Sequence, residues 1–319
     1  MKKFFFKLII FCLPFILVTL FFEVYLRVIN THYKEKLNGL HDNKDIELLI
    51  IGNSHTNYDL NPEKFRVSTY NMAMVNQPLF YDFEILKKEI PKLKKLKYVV
   101  LSIDYHSLYF SSQGLRDNWT YYDYGIDNNI GLINKMSRFW NGYTPKISLS
   151  MFKSDLYRRY YEYKHHKKTL NFYVEDDIDI TDSLKNGWIP YDGVNLNRLK
   201  PAKVLEKANS FTELTSKLYE RRKNIKLINT IIIFLKEHNI QPTFVSLPCQ
   251  SQFVKDINGE LRNKDNNDLK KIFKKYNVKY FDYFSSITDD SMFYDSDHLN
   301  KKGANYISTV FNKDLFETK

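Results

Sequence analysis

The sequence predicts an α/β domain with a parallel sheet covered by helices on both faces. Three observations carry this. Short apolar runs ending at glycine, proline or aspartate recur along the chain: "LLIIG" at 48–52, "LKYVVLSID" at 96–104 and "PTFVSLP" at 242–248. Such continuous runs suit strands buried on both faces rather than strands with one solvated face. Segments with apolar residues at helical spacing separate them, and that alternation implies crossover connections.

Taken in order, the first strand spans 46–51, is interrupted only by Glu47 and stops at Gly52. "STYNMAMV" at 68–75 reads as a second, shorter strand. Residues 80–90 place Phe83, Leu86 and Ile90 on one helical face, and Pro91 ends that helix. The third strand is 96–104. "LINTIIIFLKEHNI" at 227–240 is a helix that feeds strand 242–248. "NNDLKKIFKKYN" at 266–277 is a basic amphipathic helix before strand 278–284, with the Lys270 to Lys275 run as its solvated face. A last helix covers about 301–311.

Residues 105–209 break this rhythm. They hold "YRRYYEYKHHKK" and the acidic run "VEDDIDITD", and they read as an insertion or cap. The basic-aromatic run 153–168 suits an anionic glycan or lipid surface as well as it suits a solvated helix face. The acidic run lacks the glycine and spacing of a calcium loop and reads as a solvated loop. The expected division is an anchor at 1–27, a linker at 28–45, a first core part at 46–110, the insertion at 111–209 and a second core part at 210–319. A chain of 319 residues is long enough to bury a full core.

"FFFKLIIFCLPFILVTLFF" at 4–22 has one charge, near its start, and the length of a bilayer-spanning helix. Lys2 and Lys3 also suit a cleaved signal, but "FFEVYLRVI" offers no small-x-small cleavage site, which favours an uncleaved anchor. Basic residues flank the span almost evenly, and the short leading tail suits an inside amino terminus with the rest exported. The net charge of +11 favours anionic surroundings such as phospholipid or acidic polysaccharide. No zinc-finger spacing, RNA-binding aromatic signature or basic arm points to nucleic acid. With 24 Tyr and 24 Phe the chain is rich in aromatics, which pack cores and line carbohydrate or lipid clefts. Cys12 and Cys249 do not form a disulfide framework or a metal motif.

The chemistry is carried by two short stretches. Gly52-Asn53-Ser54-His55 places a serine at the carboxyl end of the first strand. "YDSDHLN" places Asp295 three residues before His298, ahead of the last helix. A serine nucleophile needs a base oriented by a third group. Asp295 can bond Nδ1 of His298 within one loop and leave Nε2 for Ser54. Asp297 is adjacent to His298 and competes less well, because neighbouring side chains seldom face each other. Loops at the carboxyl ends of parallel strands converge on one crevice, so these residues can meet there.

In this order and context the pair of motifs resembles the SGNH/GDSL hydrolase superfamily, above all its membrane-anchored branch that handles acyl groups on bacterial surface polysaccharides. The likeness covers 46–110 and 210–319. It implies a three-layer, flavodoxin-like αβα fold with a covalent acyl-enzyme at Ser54, His298 as base and Asp295 as its orienter. It implies no cofactor and no metal.

The pattern departs from the family at two blocks. Where the family has an oxyanion glycine, "YNMAMVNQ" offers the N–H of Ala73 and the side chain of Asn76, besides the N–H of Ser54. Where it has Gly-x-Asn, "SIDYHSL" has no asparagine. One missing oxyanion donor lowers a rate roughly 10²–10³-fold. Asn53, His55 and His106 are expected around the triad rather than in direct chemistry, and for His106 a structural role is the plainer reading.

The function this implies is an esterase or O-acyltransferase at the bacterial inner membrane, single-pass, with its domain outside the cytoplasm. It would act on acyl, above all acetyl, esters of a cell-surface polysaccharide. A multispanning membrane acyltransferase is the implied donor-side partner. Two rivals stand beside it. A lipase or lysophospholipase suits the anchor and charge equally, and a glycan-binding or assembly subunit without turnover suits the missing asparagine.

Overall fold

The computed structural model of the chain describes residues 1–28, 31–112, 116–129, 131–141, 145–165 and 184–317. The acidic run 175–182 and residues 166–168 of the basic-aromatic run lie outside them. The strands are β1 (Leu48–Ile51), β2 (Thr69–Asn71), β3 (Tyr98–Ser102), β4 (Gln241–Ser246) and β5 (Lys279–Asp282). In chain order the helices are α1 (Lys2–Val28), α2 (His32–Asp42), α3 (Ser54–Asp59), α4 (Leu79–Glu89), α5 (Arg116–Tyr124), α6 (Leu132–Met136), α7 (Arg138–Asn141), α8 (Pro145–His165), α9 (Pro201–Leu214), α10 (Leu218–Glu237), α11 (Ser251–Asp256), α12 (Gly259–Tyr276) and α13 (Lys301–Glu317).

The five strands form one parallel sheet in the order β2-β1-β3-β4-β5. The expected α/β class is therefore observed. All four residues of β1 are buried, as its unbroken Leu-Leu-Ile-Ile requires. Successive side chains alternate between the faces. Leu48, Ile50, Val100 and Val245 pack with Ile307, Phe311 and Leu315 of α13. On the other face Phe244 stacks on Phe273 of α12, ring centroids 4.5 Å apart. Phe83 of α4 meets Phe234 of α10 edge to face at 5.4 Å. Beyond β2 the chain keeps following β1, with the N–H of Met72 on the carbonyl of Ile50 and that of Met74 on the carbonyl of Gly52.

The chain runs from β1 outward to β2, then returns past β1 to β3. Ligands of such open sheets bind where the order reverses, outside the carboxyl ends of the strands. Here that place lies between β1 and β3.

The chain divides into two compact units, residues 1–35 with 113–181 and residues 36–112 with 182–319. In the first, Glu23 of α1 accepts the N–H groups of Arg138 and Phe139 and the hydroxyl of Ser137. Arg138 is buried and forks onto Asp123 at 2.9 and 2.7 Å. Helix α1 is long and apolar enough to cross a membrane, and its apolar side chains from Phe4 to Val24 are largely exposed.

Two boundaries differ from the sequence reading. Residues 32–42 of the expected linker form α2, because Lys36 and Leu40, four apart, fall on one face and are buried. Residues 184–209, expected in the insertion, belong with the sheet. Trp188 enters the core beside α13, and its indole donates to the carbonyl of Tyr58 at 2.7 Å.

Candidate active site

Ser54 is the first residue of α3, reached through a turn that only glycine suits at position 52. Gly52 has φ +139°, and a Cβ there would lie 2.4 Å from Ser102 Oγ and 2.5 Å from Thr56 Oγ1. Asn53 caps the helix by accepting the N–H of His55 at 3.0 Å. The cap is itself fixed, since its Nδ2 donates to Asp104 at 2.8 Å. Ser54 is thereby presented half-exposed at the end of β1.

The stretch with Asp295 and His298 is a tight loop closed by a bridge between Phe293 and Leu299. The N–H of Tyr294 bonds the carbonyl of His298 at 2.9 Å, and the N–H of Leu299 bonds Asp59 at the end of α3 at 2.9 Å. That last bond ties the loop to the helix that carries Ser54.

The expected triad residues come together. Nε2 of His298 lies 2.9 Å from Ser54 Oγ, and Nδ1 lies 3.0 Å from Asp295 Oδ1. Asp295 also accepts the N–H groups of His298 and Asp297, at 2.9 and 3.2 Å. Asp297 is farther from Nδ1, at 3.6 Å, and Lys207 of α9 holds it in an ion pair. Burial pushes the Asp295 carboxyl up, but His298 and Lys207 outweigh it, so the carboxyl stays below the usual range. Arg198 lies 3.5 Å from the other oxygen of Asp295. This arrangement can take a proton from the serine hydroxyl and hold the resulting imidazolium.

Behind Ser54, His298 and Asp295 is a second, buried layer. His55 has Nδ1 at 3.3 Å from Asp104 Oδ1 and Nε2 at 3.4 Å from Asp297 Oδ2. Burial raises the Asp104 carboxyl, yet the charge and hydrogen bond of His55 bring it down to about 2. His106 lies behind Asn53, its Nε2 3.4 Å from Asn53 Nδ2, and burial together with the charge of His55 pulls it down to about 4. Donor atoms of His55, Asp297 and His298 come within 4.8 Å of one another, as metal ligands would. Lys207 already sits on Asp297, and His298 faces Ser54, so these groups balance one another.

The expected oxyanion donors fare unevenly. The N–H of Ala73 donates to Asn71 Oδ1 at 3.0 Å and its carbonyl accepts Nζ of Lys36 at 2.5 Å, so this residue has no donor left to offer. Asn76 is exposed, with φ +55°, on the turn that Met74 and Gln77 tie to the carbonyl of Gly52.

Sequence reasoning missed Asp104, Lys207 and Arg198. Asp104 carried a signal, since an acid closing a buried strand must find a partner at the sheet's carboxyl edge. Lys207 and Arg198 carried none, lying in residues assigned to the insertion.

No protein-family profile and no curated protein matches the chain. Solved structures similar to it include a GDSL-like lipase from Bacteroides thetaiotaomicron, 9% identical, covering 90% of this chain and 98% of that one with a TM-score of 0.41. A mutant of an acetyl-xylooligosaccharide esterase from Geobacillus is 9% identical over 86% and 95%, TM-score 0.40. A lipase/acylhydrolase from Enterococcus faecalis is 10% identical over 85% and 95%, TM-score 0.36. At these identities and scores the likeness adds nothing to what the strand order and the side-chain geometry establish.

Proposed function

We propose that this chain is an SGNH-type serine esterase or O-acyltransferase, and that Ser54, His298 and Asp295 are its triad. The observation that supports this best is the continuous chain of contacts from Ser54 Oγ through His298 to Asp295, at 2.9 and 3.0 Å. Ser54 Oγ attacks the ester carbonyl carbon while its proton passes to Nε2 of His298. The tetrahedral oxyanion is held by the N–H of Ser54 and the side chain of Asn76. Collapse expels the alcohol oxygen, which takes the proton from His298, and leaves the acyl group on Ser54. Water or a sugar hydroxyl then attacks the acyl carbon and gives its proton to His298. The bond from the acyl carbon to Ser54 Oγ breaks, and His298 returns the proton to Oγ as the acyl group leaves.

The substrate we propose is an acyl ester, above all acetyl, of a bacterial cell-surface polysaccharide. The net charge of +11 suits an anionic polymer or surface. Helix α1 would anchor the chain in the inner membrane with the sheet domain outside the cytoplasm, where a multispanning acyltransferase could supply acyl groups.

The test is hydrolysis of p-nitrophenyl acetate by the full chain in detergent beside Ser54→Ala and His298→Ala. Both variants are expected to fall by roughly 10³–10⁶ in kcat while staying folded. A folded wild-type chain with no activity above either variant would overturn hydrolysis.

A further inference from the structure

We propose that His55 is a positioning residue, held as a permanent buried imidazolium that neutralises Asp104 and Asp297 and leaves Asp295 as the carboxylate that acts on His298. The inference deepens, and rests on, the reading of Ser54, His298 and Asp295 as a triad.

The side chain of His55 is 1% exposed, and each ring nitrogen faces a different buried carboxylate, Asp104 at 3.3 Å and Asp297 at 3.4 Å. A neutral imidazole carries one N–H and would turn a lone pair toward one of those carboxylates. Nδ1 makes no hydrogen bond of good geometry, so the pairing with Asp104 is one of charge, and only the doubly protonated ring presents a positive edge to both carboxylates. The alternative is a proton on Asp104 or Asp297, but each has other partners that favour the anion. Asn53 donates to Asp104, and Lys207 pairs with Asp297.

The surroundings of His55 agree. On its own helix Asp59 is buried, and burial pushes its carboxyl well up against the opposing pull of His55 and the N–H of Leu299. The stretch after β3 supplies Asp104, Tyr105 and His106, with Tyr105 kept neutral by burial and His106 drawn down to about 4 by burial and by His55 itself. The loop before α13 supplies Asp295, Asp297 and His298, the last with its ring centroid 5.0 Å from that of His55. After β4, burial pushes the Cys249 thiol well up. Lys207 approaches from α9 on the far side of Asp297. Burial favours neutral His55, but Asp104 and Asp297 hold its proton well above the ordinary range.

The consequence is directional. Asp297 is 3.6 Å from Nδ1 of His298, near enough to compete with Asp295. With His55 and Lys207 as partners its charge is balanced, and Asp295 alone fixes the tautomer that leaves Nε2 toward Ser54.

The experiment is nitrogen NMR of the full chain labelled at histidine, from pH 5.5 to 9. The inference expects His55 to show two protonated nitrogens throughout. A single-protonated ring, or titration of His55 inside that window, would overturn it. This reading does not depend on turnover, so an inactive protein with a charged His55 would sink the esterase and keep the charge assignment. A kinetic arm tests the positioning. His55→Gln should lower kcat roughly 10²-fold with little change in KM. His55→Gln with Asp104→Asn removes the pair together and should recover most of that loss, as paired removal of buried ions does. A double variant no faster than the single one would contradict positioning by charge.

Discussion

Nε2 of His298 stands 2.9 Å from the hydroxyl of Ser54, although 244 positions separate them in the chain. Two short elements make that distance. Helix α3 is fixed to β1 by Gly52 and Asn53, and Asp59 at its end holds the N–H of Leu299 beside the histidine. His298 is thus positioned by the same helix that carries Ser54.

The two carboxylates near His298 should separate on substitution. Asp295→Asn removes the acceptor at 3.0 Å from Nδ1 and is expected to lower kcat by roughly 10²–10⁴. Asp297→Asn should cost less in rate and more in stability, because it leaves Lys207 and His55 without their shared partner. Kinetics beside thermal unfolding of both variants check this. A larger rate loss in Asp297→Asn would make Asp297 the orienting residue.

Gly52→Ala should abolish activity by displacing the turn rather than by removing a functional group. The added methyl meets Ser102 Oγ and Thr56 Oγ1 inside 2.6 Å at a backbone conformation that suits glycine. A loss of roughly 1–3 kcal/mol is expected from the strained backbone alone. Denaturant unfolding measures it, and unchanged stability would contradict the strain.

Asp82 gives the protein a pH-dependent stability. It is buried beside Gln77, which donates to it at 2.7 Å, and burial raises its carboxyl to about 8. The unfolded chain releases this proton near pH 4, the folded chain near pH 8. The folded state therefore holds the extra proton between those values, and stability falls as pH rises through that window. Asp82→Asn keeps the acceptor and removes the titration. Its stability relative to wild type should improve from pH 5 to pH 8, as read by urea midpoints. A pH-independent difference would place the Asp82 titration elsewhere.

Much of the sheet domain was legible because its signals are local. Buried parallel strands are continuous apolar runs, and β1, β3 and β4 were visible as such. The turn at Gly52 and the Asp-x-x-His spacing announced a serine and a base, since the residues that orient the base lie within one loop. What stayed hidden depends on partners far along the chain. Lys36 looked like a linker charge because nothing local shows that its ammonium will meet Asn57 and the carbonyl of Ala73. Lys207 and Arg198 looked like insertion surface, yet they face the carboxylates of the loop that carries His298. Ala73 could be placed beside the nucleophile's turn, but not the Asn71 side chain that takes its N–H. His55 was expected close to Ser54, but its two carboxylates were not visible because they come from positions 104 and 297.

The central claim is that Ser54 is the nucleophile. The most direct test is to treat the full chain with a fluorophosphonate, digest it and locate the adduct by mass spectrometry. A single phosphonylated residue, Ser54, is expected, with no adduct in His298→Ala. A folded protein that stays unlabelled, or carries the adduct on another residue, would contradict it.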